Sequence, residues 1–249
     1  MPAMFGNKLK SDKVLKLKKS LYGLKQSPRT FYQHLSQGLV HRGWKSSSID
    51  TCLSMKKQMM CVIYVDDTIF TGPNQAAIYK EIELLGIKQP HEERPLEFRD
   101  EGELSAFLGI KIDKTNDGKF YFSQPGLILK VLNASGMLDC NPNSTPLSLE
   151  PLGPDYDSEN MNESWEYASI ISMLMYLANN TRPDIVYAVH ACTRYTHNPK
   201  KSHAGAVKHI LRYLKGTLDK GMILAPNNKH EIDCFVDSDF AGQYSKYND

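Results

Sequence analysis

Apolar residues in this chain change their period along its length, and each change marks an element. Ser27-Pro28 opens the first strong helical pattern. Serine is a favoured N-cap and proline suits the first helical position. Phe31, Leu35 and Leu39 follow at four-residue spacing, with Gly43 as a stop. Two β-like runs come next, Thr51 to Met55 and Met59 to Val65, with Lys56-Lys57-Gln58 as the turn between them. Asp66-Asp67 follow at once, then the β-rich stretch Thr68 to Gly72, so a second hairpin carries two aspartates at its tip. Asn74 is placed to cap a helix with Ile78, Ile82 and Leu85 on one face. Leu104 to Ile112 and Lys119 to Ser123 flank Asn116-Asp117-Gly118, a turn signal that predicts another hairpin. Pro125 starts a short helix through Ile128, Val131 and Leu132, ending near Gly136.

Residues 139–162 lose this periodicity and gather Pro, Ser, Asn and acidic residues, which reads as a linker. Beyond it the period is helical. Tyr167, Ile170, Ile171, Leu174 and Leu177 make one face, and Pro183 begins a second helix with Ile185, Ala188, Val189 and Cys192. Ser202 is placed to cap a third, with Val207, Ile210, Leu211 and Leu214 inward and Lys208, Arg212 and Lys215 outward. The pattern returns to strand at Met222 to Leu224 and again at Ile232 to Val236.

Composition sharpens this outline. The 249 residues are 41% hydrophobic and 23% charged, an ordinary globular mixture that excludes wholesale disorder and a collagen-like chain. The longest apolar run, Met59 to Val65, falls far short of the roughly 18 residues of a spanning helix, and no signal-peptide pattern opens the chain. Five scattered cysteines (Cys52, Cys61, Cys140, Cys192 and Cys234) suit reduced thiols in a cytoplasmic or nuclear setting, not a secreted one. The net charge of +2 conceals an uneven distribution. Residues 1–29 carry eight basic residues against Asp12 alone, and residues 181–220 carry eight against Asp184 and Asp219. Between them, residues 139–168 hold seven acids and no Lys or Arg. Two basic blocks suit a polyanion; solvated helix faces around a polar linker suit the same pattern.

The sharpest chemical feature is Tyr64-Val65-Asp66-Asp67 between two β runs. Adjacent carboxylates repel unless they are solvated, hydrogen-bonded or shared by a cation. Mg²⁺ takes hard oxygen ligands of this type, often one or two carboxylates with substrate phosphates. A polar hairpin tip has the same sequence, so the tetrapeptide alone leaves both readings open. His190, Cys192, His197, His203 and His209 lie close in sequence, but they lack the paired spacings of zinc sites and read as structural. No nucleophile elbow and no phosphate-binding P-loop is present.

Further motifs give the tetrapeptide a context. Leu21–Arg29 (LYGLKQSPR) precedes the first helix, and Leu174–Ile185 (LMYLANNTRPDI) follows the acidic stretch. Ile210–Thr217 (ILRYLKGT) lies on the last helix, and Val236–Gly242 (VDSDFAG) comes near the C-terminus. In this order they resemble the polymerase region of Ty1/copia-type retrotransposon reverse transcriptases, from about Val14 to Gln243.

The resemblance implies an α+β fold: a polymerase palm-like antiparallel sheet with helices, then a mainly helical connection and the first strands of a ribonuclease H-like domain. It divides the chain into palm and following strands (1–138), acidic linker (139–162), connection (163–220) and the start of ribonuclease H (221–249). It implies that Asp66 and Asp67 are palm carboxylates that bind Mg²⁺, with Mn²⁺ as an alternative, and that Asp237 is the first ribonuclease H carboxylate. Gly23, Lys25, Ser27, Arg29 and Tyr64 would then lie near template and incoming nucleotide, with Lys208, Arg212 and Lys215 along the nucleic-acid backbone. Phe107-Leu108-Gly109-Ile110 would be a strand supporting the primer end. The implied partners are an RNA or DNA template-primer, deoxynucleoside triphosphates and the rest of a polyprotein, with no membrane. The implied setting is a virus-like particle in cytoplasm or nucleus.

One element of the pattern is missing. Family palms carry another metal-binding aspartate on a strand before LYGLKQ; here only Asp12 precedes that motif, in a Lys-rich loop without a flanking apolar strand. The expectation is therefore a partial polymerase with little activity on its own, its fingers and third carboxylate upstream of Met1. The alternatives are a non-catalytic nucleic-acid-binding remnant and a degenerate fragment that does not fold stably.

Overall fold

The structure is a computed structural model that describes residues 16–17, 20–90, 95–148, 150, 152–225, 234 and 236. It is α+β, with two small antiparallel sheets and six α-helices among the described residues. The chain divides into two compact units, residues 1–102 and 103–249.

In the first unit, α1 (Ser27–His41) leads through β1 (Lys45–Ser46) to a meander of β2 (Leu53–Lys56), β3 (Met59–Tyr64) and β4 (Asp67–Thr71). Helix α2 (Gln75–Gly86) follows, and the Asn74 side chain caps it by accepting from the Ala77 N–H at 2.9 Å. Strand residues alternate faces. Cys61 and Ile63 therefore face a core with Leu35 and Leu39 of α1, Leu85 of α2, Trp44 and Leu96. Burial pushes the Cys61 thiol up to about 12, so it remains a neutral thiol.

The α1 start differs from expectation. Ser27 is inside the helix and Gln26 holds the cap position without a side-chain bond. The Ser27 hydroxyl instead donates back to the Leu21 carbonyl at 2.5 Å, closing the preceding loop. A short hydroxyl can serve either the following N–H groups or a preceding carbonyl, and here the loop captures it.

In the second unit, β5 (Ala106–Phe107), β6 (Ile110–Lys114), β7 (Phe120–Ser123) and β8 (Met222–Leu224) form a sheet in that order. The strand expected over Leu104 to Ile112 is broken. Phe107 pairs with Ile110, and Leu108-Gly109 form a two-residue turn with φ of 51° and 75°. Positive φ at both central residues is what a tight hairpin turn requires. Strand β8 falls where the ribonuclease H part was expected to begin, and it pairs with β7, Phe120 opposite Leu224.

Helices α3 (Pro125–Ala134), α4 (Tyr167–Asn180), α5 (Val186–Thr193) and α6 (Lys201–Lys215) build the larger core, with a 3₁₀ turn at Pro183–Ile185 leading into α5. The apolar faces read from the sequence are the buried ones: Ile128, Val131 and Leu132; Ile170, Leu174 and Leu177; Val207, Ile210 and Leu214. Leu147, Leu152 and Met161 of the acidic stretch also pack on this core, and Trp165 is buried within it.

Ser202 does not cap α6. Lys200 holds that position, and the His203 ring accepts the Lys200 N–H through Nδ1 at 2.9 Å. Its Nε2 lies 2.8 Å from the Gly153 carbonyl, and the ring stacks on Tyr195 at 3.9 Å. The ring is therefore the Nε2–H tautomer with both nitrogens engaged, which removes it from the zinc reading.

Candidate active site

The two aspartates are positioned by the register of one hairpin. Tyr64 pairs directly with Asp67, so only Val65 and Asp66 make the turn. Asp66 sits at the tip and Asp67 is the first residue of β4. Cys61 and Ile63 point to the helices, so alternation puts Met60, Val62 and Tyr64 on the opposite face of β3. Their cross-strand partners Thr71, Ile69 and Asp67 share that face. Tyr64, Val65, Asp66 and Asp67 are all exposed.

Val65 takes φ of 54°, a conformation rare for a β-branched residue. Strained backbone of this type clusters at functional sites, where surrounding structure holds it.

Asp66 and Asp67 are hard oxygen donors open to solvent, and as such they suit a divalent cation shared with phosphate oxygens. Among the described residues no group of three His, Cys, Asp or Glu side chains converges on a common metal position. The hairpin thus offers two carboxylates and leaves the remaining ligands to other sources.

The other site residues lie on other elements of the described structure. Gly23 is in the turn before α1 at φ of 90°, a left-handed conformation that glycine adopts without penalty. An added Cβ would meet nothing within 4 Å, so the need is conformational, not steric. Lys25 and Arg29 are exposed, and Tyr22 between them and Leu21 is 95% exposed. Ser27 is committed to the Leu21 carbonyl. On α6, Arg212 is exposed and Lys215 half-buried, whereas Lys208 is bound to Glu163 at 2.6 Å. Asp237 and the basic residues before Lys16 lie outside the described residues.

Three polar clusters escaped the sequence reading. Glu81 is buried in α2 and accepts from Trp44 Nε1 at 3.0 Å and Lys56 Nζ at 2.5 Å. Its spacing, three after Ile78 and four before Leu85, was the available signal. Arg182, 1% exposed, donates from Nε and Nη2 to Asp184, and from Nη1 and Nη2 to the Thr217 carbonyl and hydroxyl. Tyr213 donates to the same Asp184 carboxylate at 2.8 Å. Burial by itself would raise the Asp184 carboxyl, but the Arg182 and Tyr213 hydrogen bonds and the Arg182 charge outweigh it and hold it below the ordinary range. The third cluster is the set of ion pairs between the acidic stretch and α6, Glu159–Lys201 at 3.1 Å and Glu163–Lys208.

Comparison with known proteins defines the class. The family model for reverse transcriptase (RNA-dependent DNA polymerase) matches residues 1–149. The chain is 34% identical over 250 residues to the retrovirus-related Pol polyprotein from transposon RE1 of Arabidopsis thaliana, covering 99% of this chain and 16% of that protein. It is 32% identical over 245 residues to the corresponding polyprotein from transposon TNT 1-94 of Nicotiana tabacum, covering 94% of this chain and 18% of that protein. An uncharacterised mitochondrial protein of Arabidopsis thaliana is 35% identical over 184 residues, covering 74% of this chain and 72% of its own length. No solved structure matches. The chain belongs to the reverse transcriptase family, within its Ty1/copia-type retrotransposon Pol polyproteins. It spans about one sixth of the length of the RE1 polyprotein.

No helix among the described residues is long and apolar enough to cross a membrane.

Proposed function

We propose that this chain is the palm-to-connection segment of an RNA-directed DNA polymerase, with Asp66 and Asp67 as its catalytic carboxylates. The observation that carries the reading is the Tyr64–Asp67 register, which delivers both acids to an exposed tip on a sheet backed by two helices. Residues 1–138 are the palm and following strands, 163–220 the connection, and 221 onward the approach to ribonuclease H, with Asp237 its first carboxylate.

Asp66 and Asp67 would hold divalent cations, Mg²⁺ or Mn²⁺, together with phosphate oxygens of an incoming deoxynucleoside triphosphate. Cations held there would neutralise charge on the attacking and leaving oxygens of nucleotidyl transfer. Tyr64 lies on the same face as Asp67 and bounds the site. Gly23, Lys25, Ser27 and Arg29 form the loop and helix start that meet template and nucleotide. Arg212 and Lys215 contact the backbone of the duplex, adding salt-dependent affinity that is independent of sequence.

Two carboxylates alone bind two cations weakly, so the isolated chain has little or no polymerase activity while retaining affinity for template-primer. Primer extension with purified chain and Mg²⁺, against Asp66→Asn, tests this. The expected result is no incorporation above the variant. Robust incorporation abolished by Asp66→Asn would overturn the claim of inactivity and uphold the site. A second reading, a non-catalytic nucleic-acid-binding module, is favoured by the basic face of α6. Salt-sensitive hybrid binding unchanged by Mg²⁺ and by Asp66→Asn supports it.

A further inference from the structure

The acidic stretch and the basic helix are not separate charge blocks. Residues 142–143 pass the C-terminal end of α6, where the Asn143 N–H donates to the Arg212 carbonyl and an added Cβ at Gly216 would lie 2.9 Å from Pro142. The Gly153 carbonyl meets His203 near the other end. At the N-terminus the backbone is stitched down: Lys201 N–H donates to the Glu159 carbonyl, Met161 N–H to the Pro199 carbonyl, and Asn160 forms a β-bridge with Lys200. The stretch is a strap running along α6.

This docking decides where its acids lie. Lys201, Lys208, Arg212 and Lys215 recur at helical spacing on the outer side of α6. The strap places Glu159 on Lys201 and Glu163 on Lys208. The first pair is 71% and 80% exposed, so solvent screens it and it binds Lys201 only loosely. The second is 35% and 24% exposed and 2.6 Å long, a firm contact. Arg212 and Lys215 have no ion-pair partner among the described residues.

We propose that the strap competes with nucleic acid for the cationic stripe of α6: the Glu163 carboxylate occupies Lys208 as a phosphate would, and releasing it extends the phosphate-binding surface from Arg212 and Lys215 toward the helix N-terminus. The proposal rests on the reading that this stripe binds nucleic acid. Each phosphate neutralised by a lysine contributes about 0.9 to the slope of log affinity against log salt. At 0.1 M monovalent salt that corresponds to roughly a five- to tenfold gain in affinity.

The test is binding of the full chain to an RNA–DNA hybrid over a salt series, with Glu163→Gln, Glu163→Gln/Lys208→Gln and Glu150→Gln. Glu150 is an exposed acid of the same stretch with no ion pair among the described residues, so its variant makes the same change in net charge without freeing a lysine. A thermal melt establishes that each variant is folded. Glu163→Gln is expected to tighten binding five- to tenfold and steepen the slope by about one. The double variant is expected to return to wild-type affinity, and Glu150→Gln to change little. Equal gains from Glu150→Gln and Glu163→Gln, or a gain that survives in the double variant, overturn the proposal. If wild type binds in a salt-dependent manner and Glu163→Gln binds identically, the strap proposal fails alone. If neither binds, the nucleic-acid reading fails with it.

Discussion

Tyr64 and Asp67 are direct cross-strand partners, and the whole connection between their strands is Val65 and Asp66. The turn therefore forces Val65 to φ of 54°. Left-handed backbone costs a side-chain-bearing residue about 1–2 kcal/mol, and glycine loses about 0.5–1 kcal/mol of that advantage to chain entropy. Val65→Gly is expected to leave stability unchanged or raise it by up to about 1.5 kcal/mol. Urea unfolding reads this directly. A loss above about 1 kcal/mol would mean that the exposed Val65 side chain holds the hairpin by contacts instead.

Glu81 is the polar pin behind the same sheet. Removing its carboxylate leaves the Trp44 N–H without an acceptor and the Lys56 ammonium unpaired at a half-buried site. Glu81→Ala should cost about 2–4 kcal/mol, and Glu81→Gln, which keeps an acceptor, about half as much. The measurement is denaturation followed by Trp44 emission in a Trp165→Phe background. That background sacrifices no hydrogen bond, because Trp165 Nε1 finds no acceptor among the described residues. Equal losses from both variants would remove the hydrogen-bond argument.

The Asp184 network makes a pH prediction. Its carboxyl sits below the ordinary range because the Arg182 and Tyr213 hydrogen bonds and the Arg182 charge overcome the effect of burial. A lowered folded value means the stabilisation is fully present above the unfolded value, about 4, and is lost as pH falls through the folded value. Asp184→Asn should destabilise by about 1–3 kcal/mol near neutral pH, discounted for the partial exposure of Asp184. The gap from wild type should narrow as pH drops below 4. A gap that stays constant between pH 7 and pH 3 would refute the linkage.

Gly221 precedes β8 with no room for a side chain. A Cβ there would sit 2.1 Å from the Phe122 carbonyl oxygen, and backbone cannot yield as a flexible side chain does. Gly221→Ala is expected to detach β8 from β7. Hydrogen exchange would then show faster exchange of the amides over Phe120–Phe122 and Met222–Leu224, with the α4–α6 core protected as before.

Helix cores were legible because their period repeats over many residues: Ile170, Leu174 and Leu177, or Val207, Ile210 and Leu214, have no other consistent reading. The exposed hairpin with Asp66 and Asp67 was legible for the converse reason, two polar residues interrupting two apolar runs. Short features were not. Leu108-Gly109 reads as strand because leucine gives no sign of positive φ. Ser27 and Ser202 satisfy cap chemistry by composition, yet Gln26 and Lys200 hold the cap positions. Glu81, Arg182 and His203 are buried polar residues that each have one partner 35 to 50 positions away, which periodicity does not encode.

The two sheets differ in when they can exist. The first joins β1 to β4 through neighbouring strands, so its pairing is complete once Thr71 has left the ribosome. The second needs Leu224 to return to Phe120, a closure on the order of a hundred residues, after four helices have been made. Contacts of that span are entropically expensive to nucleate and slow folding. During synthesis the β7 edge is therefore exposed as an unpaired strand until Leu224 has been made, an interval in which a second nascent copy can add its own strand there.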